Sequence, residues 1–374
     1  MTSTLPPWAE YFLMPALNMV VALVGVGAVI AFVGEDPLRA ILVIGRGVFG
    51  QGEGLAYALF YATSFVFTGL SVSIALQAGL FNIGAEGQAY VGGLGAALAC
   101  LALDKYASAW LVIPAAIGSA AVFGSAWAAL PGFLQARRGS HIVITTLMFN
   151  FIAANLMAYL LTNFIREPQA MQVESRSFVA DSTRLPRING LFELFQSHYE
   201  NAPLNLMFIV SLGAAVGVWF LIWRTRFGYC LRVVGANPKA AAYAGLPVKR
   251  ILVMSMLMSG GLAGLMAVNV VLGDQGRLVL QLAGGAGFVG VAVALMGRLK
   301  PLGVIFAAAL FGILQQGGAE LAFEMPSVTR EVIVLAQGIV VLMAGGLEQL
   351  FKPWLSRALS WHGSISKSVD TGTT

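Results

Sequence analysis

Charged residues are scarce in this chain. They make up 10% of its 374 residues, 58% of the residues are hydrophobic, and the mean hydropathy is +0.81. Soluble domains carry about 25% charged residues, so this composition argues against two or three soluble domains. It predicts a single polytopic membrane domain over residues 1–374. The net charge of +5 does not indicate nucleic-acid binding, because no basic patch is interleaved with aromatic residues.

Cysteine and histidine are also rare, with two and three copies. Cys100 lies in an apolar run and Cys230 in a basic loop, which suggests neither a disulfide framework nor a metal site. The histidines at 141, 198 and 362 are scattered, without an H-E-x-x-H motif or an Asp/Glu/His cluster. These absences argue against an intramembrane enzyme and against a metal cofactor.

A nucleotide-binding motif is missing as well. A P-loop would read G-x-x-x-x-G-K-[ST], but none of the six lysines follows a glycine. If the chain transports a solute actively, it therefore uses either an ion gradient or an ATPase in another subunit.

Long apolar runs organise the chain. A transmembrane helix needs about 20 predominantly apolar residues, and the sequence has ten runs that are of this kind or are shorter and interrupted by glycine. The runs span 12–33, 54–81, 87–103, 110–134, 142–164, 204–223, 251–272, 284–297, 301–318 and 332–347. The sequence therefore predicts an all-α membrane protein with about ten transmembrane helices.

The loops between these runs predict the orientation. Basic residues without acids collect at 137–138, 224–250 and 298–300, whereas the loops on the other side mix both signs. The positive-inside rule makes the basic loops cytoplasmic, and an even number of spans then places both termini inside. We expect a multi-pass protein of the inner (plasma) membrane. The segment 165–203 is predicted to be a periplasmic loop, and 360–374 a flexible cytoplasmic tail.

The basic segment 224–250 contains the signals of a short helix. Asn237 suits the N-cap, Pro238 the first helical position, and Gly245 the stop after the last turn. This small, Ala-rich helix carries one aromatic residue, Tyr243. It is either a knob for a groove on another protein or a linker between two spans.

Glycine clusters interrupt two of the apolar regions, around 79–87 and around 284–290. Broken helices near the middle of the membrane expose backbone groups, and transporters often build their sites there. The clusters occupy corresponding places in the two parts of the chain, which predicts two inverted halves. The candidate residues for the translocation path or the helix break are Asn82, Gly84, Glu86, Gly87, Gln88, Asn150 and Phe288.

Glu86 is the only acid between Glu53 and Asp104. Because a carboxylate facing lipid is costly, Glu86 should face protein or water. Three interpretations stay open: it lines the translocation path, it accepts hydrogen bonds at the helix break, or it lies near the headgroups at the cytoplasmic end of a helix.

Four motifs resemble one protein family. They are L-F-N-I-G-A-E-G-Q (80–88), H-I-V-I-T-T-L-M-F-N-F-I-A (141–153), R-V-V-G-A-N-P-K-A-A-A-Y-A-G-L-P-V-K-R (232–250) and G-F-V-G-V-A-V-A-L-M-G-R-L-K-P-L-G-V (287–304). The family is the permease subunits of bacterial ABC importers of the ribose and branched-chain amino-acid class. The chain is most similar to its nucleoside (simple-sugar-annotated) branch, over about 15–345.

The resemblance implies an ATP-driven importer of nucleosides. A monosaccharide or branched-chain amino acid is the first alternative cargo, and an ion-coupled secondary transporter is the second alternative. The implied partners are an ABC ATPase subunit, a second permease that is often a different chain, and a periplasmic or lipoprotein substrate-binding protein. The ATPase would bind ATP and Mg, so we expect neither a cofactor nor enzyme activity in this chain.

The resemblance also identifies 232–250 as the segment that docks into the ATPase. The residues expected to contact the ATPase or to shape the docking helix are Asn237, Pro238, Ala241, Tyr243, Ala244 and Gly245.

Overall fold

A computed structural model describes residues 14–50, 53–168, 170–188, 202–329 and 332–339. Across these residues every regular element is a helix, and β-structure is limited to isolated bridges. The all-α prediction is therefore confirmed for the described part of the chain. The predicted tail 360–374 and part of the predicted loop 165–203 lie outside the described residues.

Thirteen helices follow one another in the described residues up to position 329, and a further helical stretch covers 332–339. Their bounds are α1 Met14–Val33, α2 Pro37–Gly45, α3 Gly54–Gln77, α4 Ala85–Leu103, α5 Ala109–Arg138, α6 Ile142–Leu160, α7 Ala180–Thr183, α8 Met207–Arg224, α9 Arg226–Ala236, α10 Pro238–Tyr243, α11 Val248–Val270, α12 Ala286–Met296 and α13 Pro301–Glu324. Short π-helical turns follow α2, α6 and α11, at Arg46–Gly50, Leu161–Ile165 and Val271–Gln275.

Six of the described helices are long and apolar enough to cross a membrane, which makes this a multi-pass membrane protein. They are α3, α5, α8, α13, and the continuous pairs of α6 and α11 with the π-helical turns that follow them. Helix α12 coincides with a predicted run but has only 11 residues, about 16 Å. That is half of a hydrocarbon core of about 30 Å. The total of about ten crossings therefore remains a prediction.

Helix α2 begins directly after the acids Glu35 and Asp36, and Arg39 lies within it. Its start has a local cause, because a side-chain oxygen of Asp36 accepts a 2.9 Å hydrogen bond from the backbone N–H of Leu38. Pro37 then occupies the first helical position, where a missing N–H has no cost. Asp36 and Pro37 together thus form a helix-start signal.

The described residues form two compact units, one within 45–317 and one that combines the described parts of 1–44 and 318–374. The first unit contains every site described below. At its centre, α11 packs against α3, α4 and α5, and α12 packs against α3. Small residues allow these close contacts: a Cβ atom on Gly92 of α4 would lie 2.4 Å from the Cα of Gly264 on α11. Such glycine contacts are typical of packed transmembrane helices.

Candidate functional site: a junction of two broken helices

The first helix break separates α3 from α4. Gly79 turns the chain with a φ of +77°, a conformation that glycine adopts without strain. A side-chain oxygen of Asn82 then accepts a 2.8 Å hydrogen bond from the backbone N–H of Gly84, and α4 begins at Ala85. The side chain of Asn82 thus shapes the turn that leads into α4.

The second break precedes α12. Gly284 and Gly285 have φ values of +54° and +88°, and α12 begins at the next residue. Gly285 stands at the N-cap but has no side chain that could accept a hydrogen bond from the first turn. The N–H groups at a helix start need acceptors from elsewhere, so this end of α12 depends on another element.

Glu86 supplies those acceptors. One carboxyl oxygen accepts a hydrogen bond of 2.9 Å from the N–H of Gly285, and the other accepts one of 2.8 Å from the N–H of Gly287. Glu86 also lies in the first turn of α4, so the carboxyl group faces the positive ends of two helix dipoles. This geometry matches the interpretation in which Glu86 accepts hydrogen bonds at the helix break.

Gly287 lets the two helix starts approach each other. A Cβ atom at this position would lie 2.2 Å from the backbone nitrogen of Glu86 and 2.5 Å from its Cα. Both are backbone atoms, which a rotamer change cannot move. A residue larger than glycine therefore cannot occupy position 287 while Glu86 keeps its two hydrogen bonds.

The junction lies deep along its neighbouring helices. Asn150, which contacts it, is eight residues inside α6, and Gly287 is nine residues from the end of α12. At 1.5 Å per residue these depths are about 12 and 14 Å from the helix ends that adjoin the basic loops. The junction is therefore set back from these two helix ends. For Glu86, the position along the translocation path and the position near the headgroups both stay predictions.

The amide side chains beside Glu86 bind each other. Asn82 and Gln88 form two reciprocal hydrogen bonds of 3.2 Å each, and Asn82 also donates 2.8 Å to the hydroxyl of Ser259 on α11. The Ser259 hydroxyl lies 3.0 Å from that of Ser71 on α3. All four side chains are buried. These polar groups connect three helices and satisfy one another.

Asn150 connects α6 to the same turn. Its side-chain oxygen accepts 2.9 Å from the N–H of Gly87, and its amide nitrogen donates 2.9 Å to the carbonyl of Ile83. Phe288 differs from the other candidates, because its side chain is 46% exposed whereas theirs are buried. The structure thus brings together Asn82, Gly84, Glu86, Gly87, Gln88 and Asn150, with Phe288 at the edge.

A second buried polar cluster joins α3, α8 and α11. The amide nitrogen of Asn269 donates to the carbonyl of Phe60 at 3.1 Å and to the hydroxyl of Ser64 at 2.9 Å. Its oxygen accepts 2.9 Å from Asn205, just before α8. Nothing in the sequence pairs Ser64 or Asn205 with Asn269.

A buried ion pair fastens the segment after α6 to the end of α4. The guanidinium of Arg176 donates 2.7 and 2.9 Å to the two carboxyl oxygens of Asp104, and the N–H of Val179 donates 3.1 Å to one of them. The Asp104 side chain is fully buried and that of Arg176 is 28% exposed. The hydrogen bonds from Arg176 hold the pKa of Asp104 below its usual value.

We expect Asp104→Asn to loosen this segment. Removing one partner of a buried pair leaves the other charge unpaired, and about 3 kcal/mol of stability should be lost. In the unchanged protein the folded pKa of Asp104 is depressed, so its stabilisation should decline as pH falls below about 4 and be lost below that folded pKa. Melting temperature in detergent measures both effects, and limited trypsin cleavage near Arg176 at neutral pH measures the effect of the substitution.

A more exposed ion pair is the matched control. Arg277 donates 2.5 Å to Glu174, and their side chains are 37% and 18% exposed. Because water screens this pair, Glu174→Gln should cost at most about 1 kcal/mol. Equal losses in the two variants would contradict the structural role assigned to Asp104.

The basic segment folds as its local signals predict. A side-chain oxygen of Asn237 accepts 3.0 Å from the N–H of Ala240, and Pro238 opens α10. At the other end, Gly245 has a φ of +78°, and the N–H of Leu246 donates 3.0 Å to the carbonyl of Ala241. This is the Schellman arrangement that ends many helices.

The candidate docking residues divide by exposure. Ala241 is fully buried, so it positions α10 on its own chain and cannot contact another protein. Tyr243 is 94% exposed. The remaining candidates, Asn237, Pro238, Ala244 and Gly245, are also exposed. A rigid, capped helix therefore presents small residues and one aromatic ring outwards.

Comparison with known proteins gives a consistent result. Residues 54–344 match the family described as branched-chain amino acid transport system / permease component. The guanosine ABC transporter permease protein NupP of Bacillus subtilis is 32% identical over 89% of this chain and 92% of its own length. The nucleoside ABC transporter permease protein NupB of Lactococcus lactis subsp. cremoris is 32% identical over 82% and 83%. The glucose ABC transporter permease protein TsgB13 of Haloferax volcanii is also 32% identical, over 91% and 88%.

Proposed function

Because this chain belongs to the branched-chain amino acid transport system / permease component family, we propose that it is the membrane-spanning subunit of an ATP-driven nucleoside importer. Like its relatives, it is a permease subunit. It is not itself an enzyme. The observation that carries the proposal is the similarity to guanosine and nucleoside permeases over more than four fifths of the chain.

A second cargo has a specific observation in its favour. The glucose permease of Haloferax volcanii is as similar to this chain, at 32% identity, as the two nucleoside permeases are. A monosaccharide is therefore the alternative cargo. The buried polar groups around Glu86 do not discriminate between the cargoes, because their hydrogen bonds are made within the protein.

The energy and the solute come from partners. Members of the family work with an ATPase and a substrate-binding protein. In this importer ATP and Mg would be bound by the ATPase, and a second permease, often a different chain, would complete the membrane part. A periplasmic or lipoprotein receptor would deliver the nucleoside. The protein would lie in the inner membrane with both termini in the cytoplasm, consistent with the basic loops.

The junction at Glu86 supports an architecture of two inverted halves within about ten crossings. Helices α4 and α12 both follow glycine-containing breaks and meet at their first turns. In this proposal that meeting point lies near the middle of the membrane. Helix starts that meet at the midplane are typical of transporters built from inverted repeats. In this proposal the junction is the fixed point against which the helices around the translocation path move.

Labelled uridine, adenosine and glucose distinguish the cargoes. Uptake is measured in cells with the gene, without it, and with the gene restored. We expect uptake of a nucleoside to depend on the gene and glucose uptake to be unaffected. Gene-dependent uptake of glucose alone would replace the nucleoside by the monosaccharide.

Docking of α10 is tested by Ala244→Arg. Ala244 is exposed at the end of α10, so a bulky side chain should block the ATPase without disturbing the fold. We expect uptake to fall at least about tenfold, equivalent to about 1.4 kcal/mol of docking energy. Membrane level and melting temperature should be unchanged, and co-purification of the ATPase should be lost.

The control is an alanine-to-arginine substitution outside α10. Ala180 is an exposed alanine at the start of α7, in the segment predicted to face the periplasm, and Ala180→Arg should leave uptake unchanged. Normal uptake and normal ATPase co-purification in Ala244→Arg would remove the docking role from α10. Ala241→Arg is a poor test, because burial of Ala241 makes a folding defect the expected result.

A further inference from the structure

An open cleft lies between the end of α5, the residues that follow α10 and the start of α11. Its volume is about 710 Å³, which is within the range of small-molecule sites. Its lining includes Arg137 from α5, Gly245 from the residues after α10, and Lys249 and Arg250 from α11. Gly245 is the one candidate docking residue in this lining, and the junction at Glu86 lies elsewhere.

The charged residues that line the cleft are all positive. Arg137, Lys249 and Arg250 are all exposed, and no acidic residue contributes to the lining. Among the described residues, none of the three lies within salt-bridge distance of a carboxylate. The guanidinium of Arg137 lies 5.7 Å from the ring centre of Phe133, over its face, so it is held at the cleft. The cleft is therefore suited to an anion.

The deeper wall is apolar. Phe133 lies five residues before the end of α5, and Val253 and Met254 lie five and six residues inside α11. At 1.5 Å per residue this wall reaches about 8–9 Å along the helices from their basic ends. Phe133 is 49% exposed and Met254 37%. An apolar surface is thus left open directly beside three cations.

We propose that the cleft binds an anionic phospholipid, with its phosphate against Arg137, Lys249 and Arg250 and the start of an acyl chain along Phe133 and Met254. The proposal rests on the membrane placement given under the proposed function. Basic pockets between transmembrane helices on the cytoplasmic side are suited to anionic headgroups. A protein that docks from the cytoplasm would meet the cations, but it would leave the apolar wall at acyl-chain depth uncovered.

The experiment measures lipid retention on the purified, delipidated chain in detergent. Native mass spectrometry follows titration with phosphatidylglycerol and with phosphatidylcholine of the same acyl chains. We expect one phosphatidylglycerol to be retained and to raise the melting temperature, with at least about tenfold weaker retention of phosphatidylcholine. Substituting Arg137→Gln, Lys249→Gln and Arg250→Gln together should remove that preference.

A second triple variant is the matched control. Arg138→Gln, Arg226→Gln and Lys239→Gln change the charge equally, and these residues lie on the same predicted face but outside the cleft lining. Their variant should retain phosphatidylglycerol normally. Equal losses in both triple variants would overturn the proposal, since the effect would then follow net charge.

Two further outcomes would also overturn it. Displacement of phosphatidylglycerol by millimolar inorganic phosphate would indicate a site for a free anion. If the cleft variant loses the ATPase while its lipid retention is unchanged, the cleft is a protein-docking surface. Because retention is measured without transport, failure of the lipid proposal leaves the importer proposal intact, and absence of nucleoside uptake leaves the lipid result intact.

Discussion

Gly287→Ala should prevent the two helix starts from meeting, and little folded protein should reach the membrane. The new Cβ atom would lie 2.2 Å from the backbone nitrogen of Glu86, and only a backbone shift can relieve that contact. Overpacking typically costs about 1–3 kcal/mol, occasionally more, and here the shift would also break the hydrogen bonds to Glu86. A fluorescent-protein fusion followed by size-exclusion chromatography in detergent measures the folded, monodisperse fraction.

Gly213→Ala controls for the substitution itself. Gly213 lies inside α8, and a Cβ atom there would have no neighbour within 4 Å. Alanine favours a helix by up to about 1 kcal/mol over glycine, so this variant should be as stable as the parent or more so. If Gly287→Ala gave a normal monodisperse peak and normal uptake, the described approach of α4 and α12 would be incorrect.

Glu86→Gln should also have a large effect, although it only replaces one carboxyl oxygen by an NH2 group. Glutamine offers one acceptor oxygen, so its NH2 group would face the N–H of Gly285 or of Gly287. An unsatisfied buried donor costs about 1–3 kcal/mol, and a hydrogen bond to a charged group contributes about 1.5–3 kcal/mol. We expect a lower melting temperature in detergent and a strong loss of uptake.

Asp181→Asn is the control for loss of one carboxylate. Asp181 is exposed in α7, so neither stability nor uptake should change. Normal melting and normal uptake in Glu86→Gln would show that the charge and the second acceptor are dispensable. The carboxyl group would then have no structural role at the helix break.

Helix positions were largely predictable from hydrophobic runs. Each predicted run coincides with a helix over the residues that the structure describes, including the unusually short α12. Hydropathy did not predict which helix starts meet, because length and composition say nothing about contacts between distant parts of the chain. Helix α2 was not among the predicted runs, although Asp36 and Pro37 are a recognised start signal.

The partners within the site could not be read from the sequence. Glu86 was identified as unusual, but its acceptor role involves Gly285 and Gly287, about 200 positions away. Likewise, nothing in the sequence pairs Asp104 with Arg176. Local signals performed better at α10, where both ends form as predicted. The burial of Ala241 depends on packing against the rest of the chain, which local signals do not contain.

We propose that this permease imports a nucleoside with energy from ATP. The most direct test of this proposal is uptake of labelled nucleoside into proteoliposomes that contain this chain, its partner permease, the ATPase and the binding protein. We expect accumulation that requires ATP on the side of the ATPase, inside the vesicles. It should persist with a protonophore and stop with Ala244→Arg. Accumulation without ATP that the protonophore abolishes would instead identify an ion-coupled transporter.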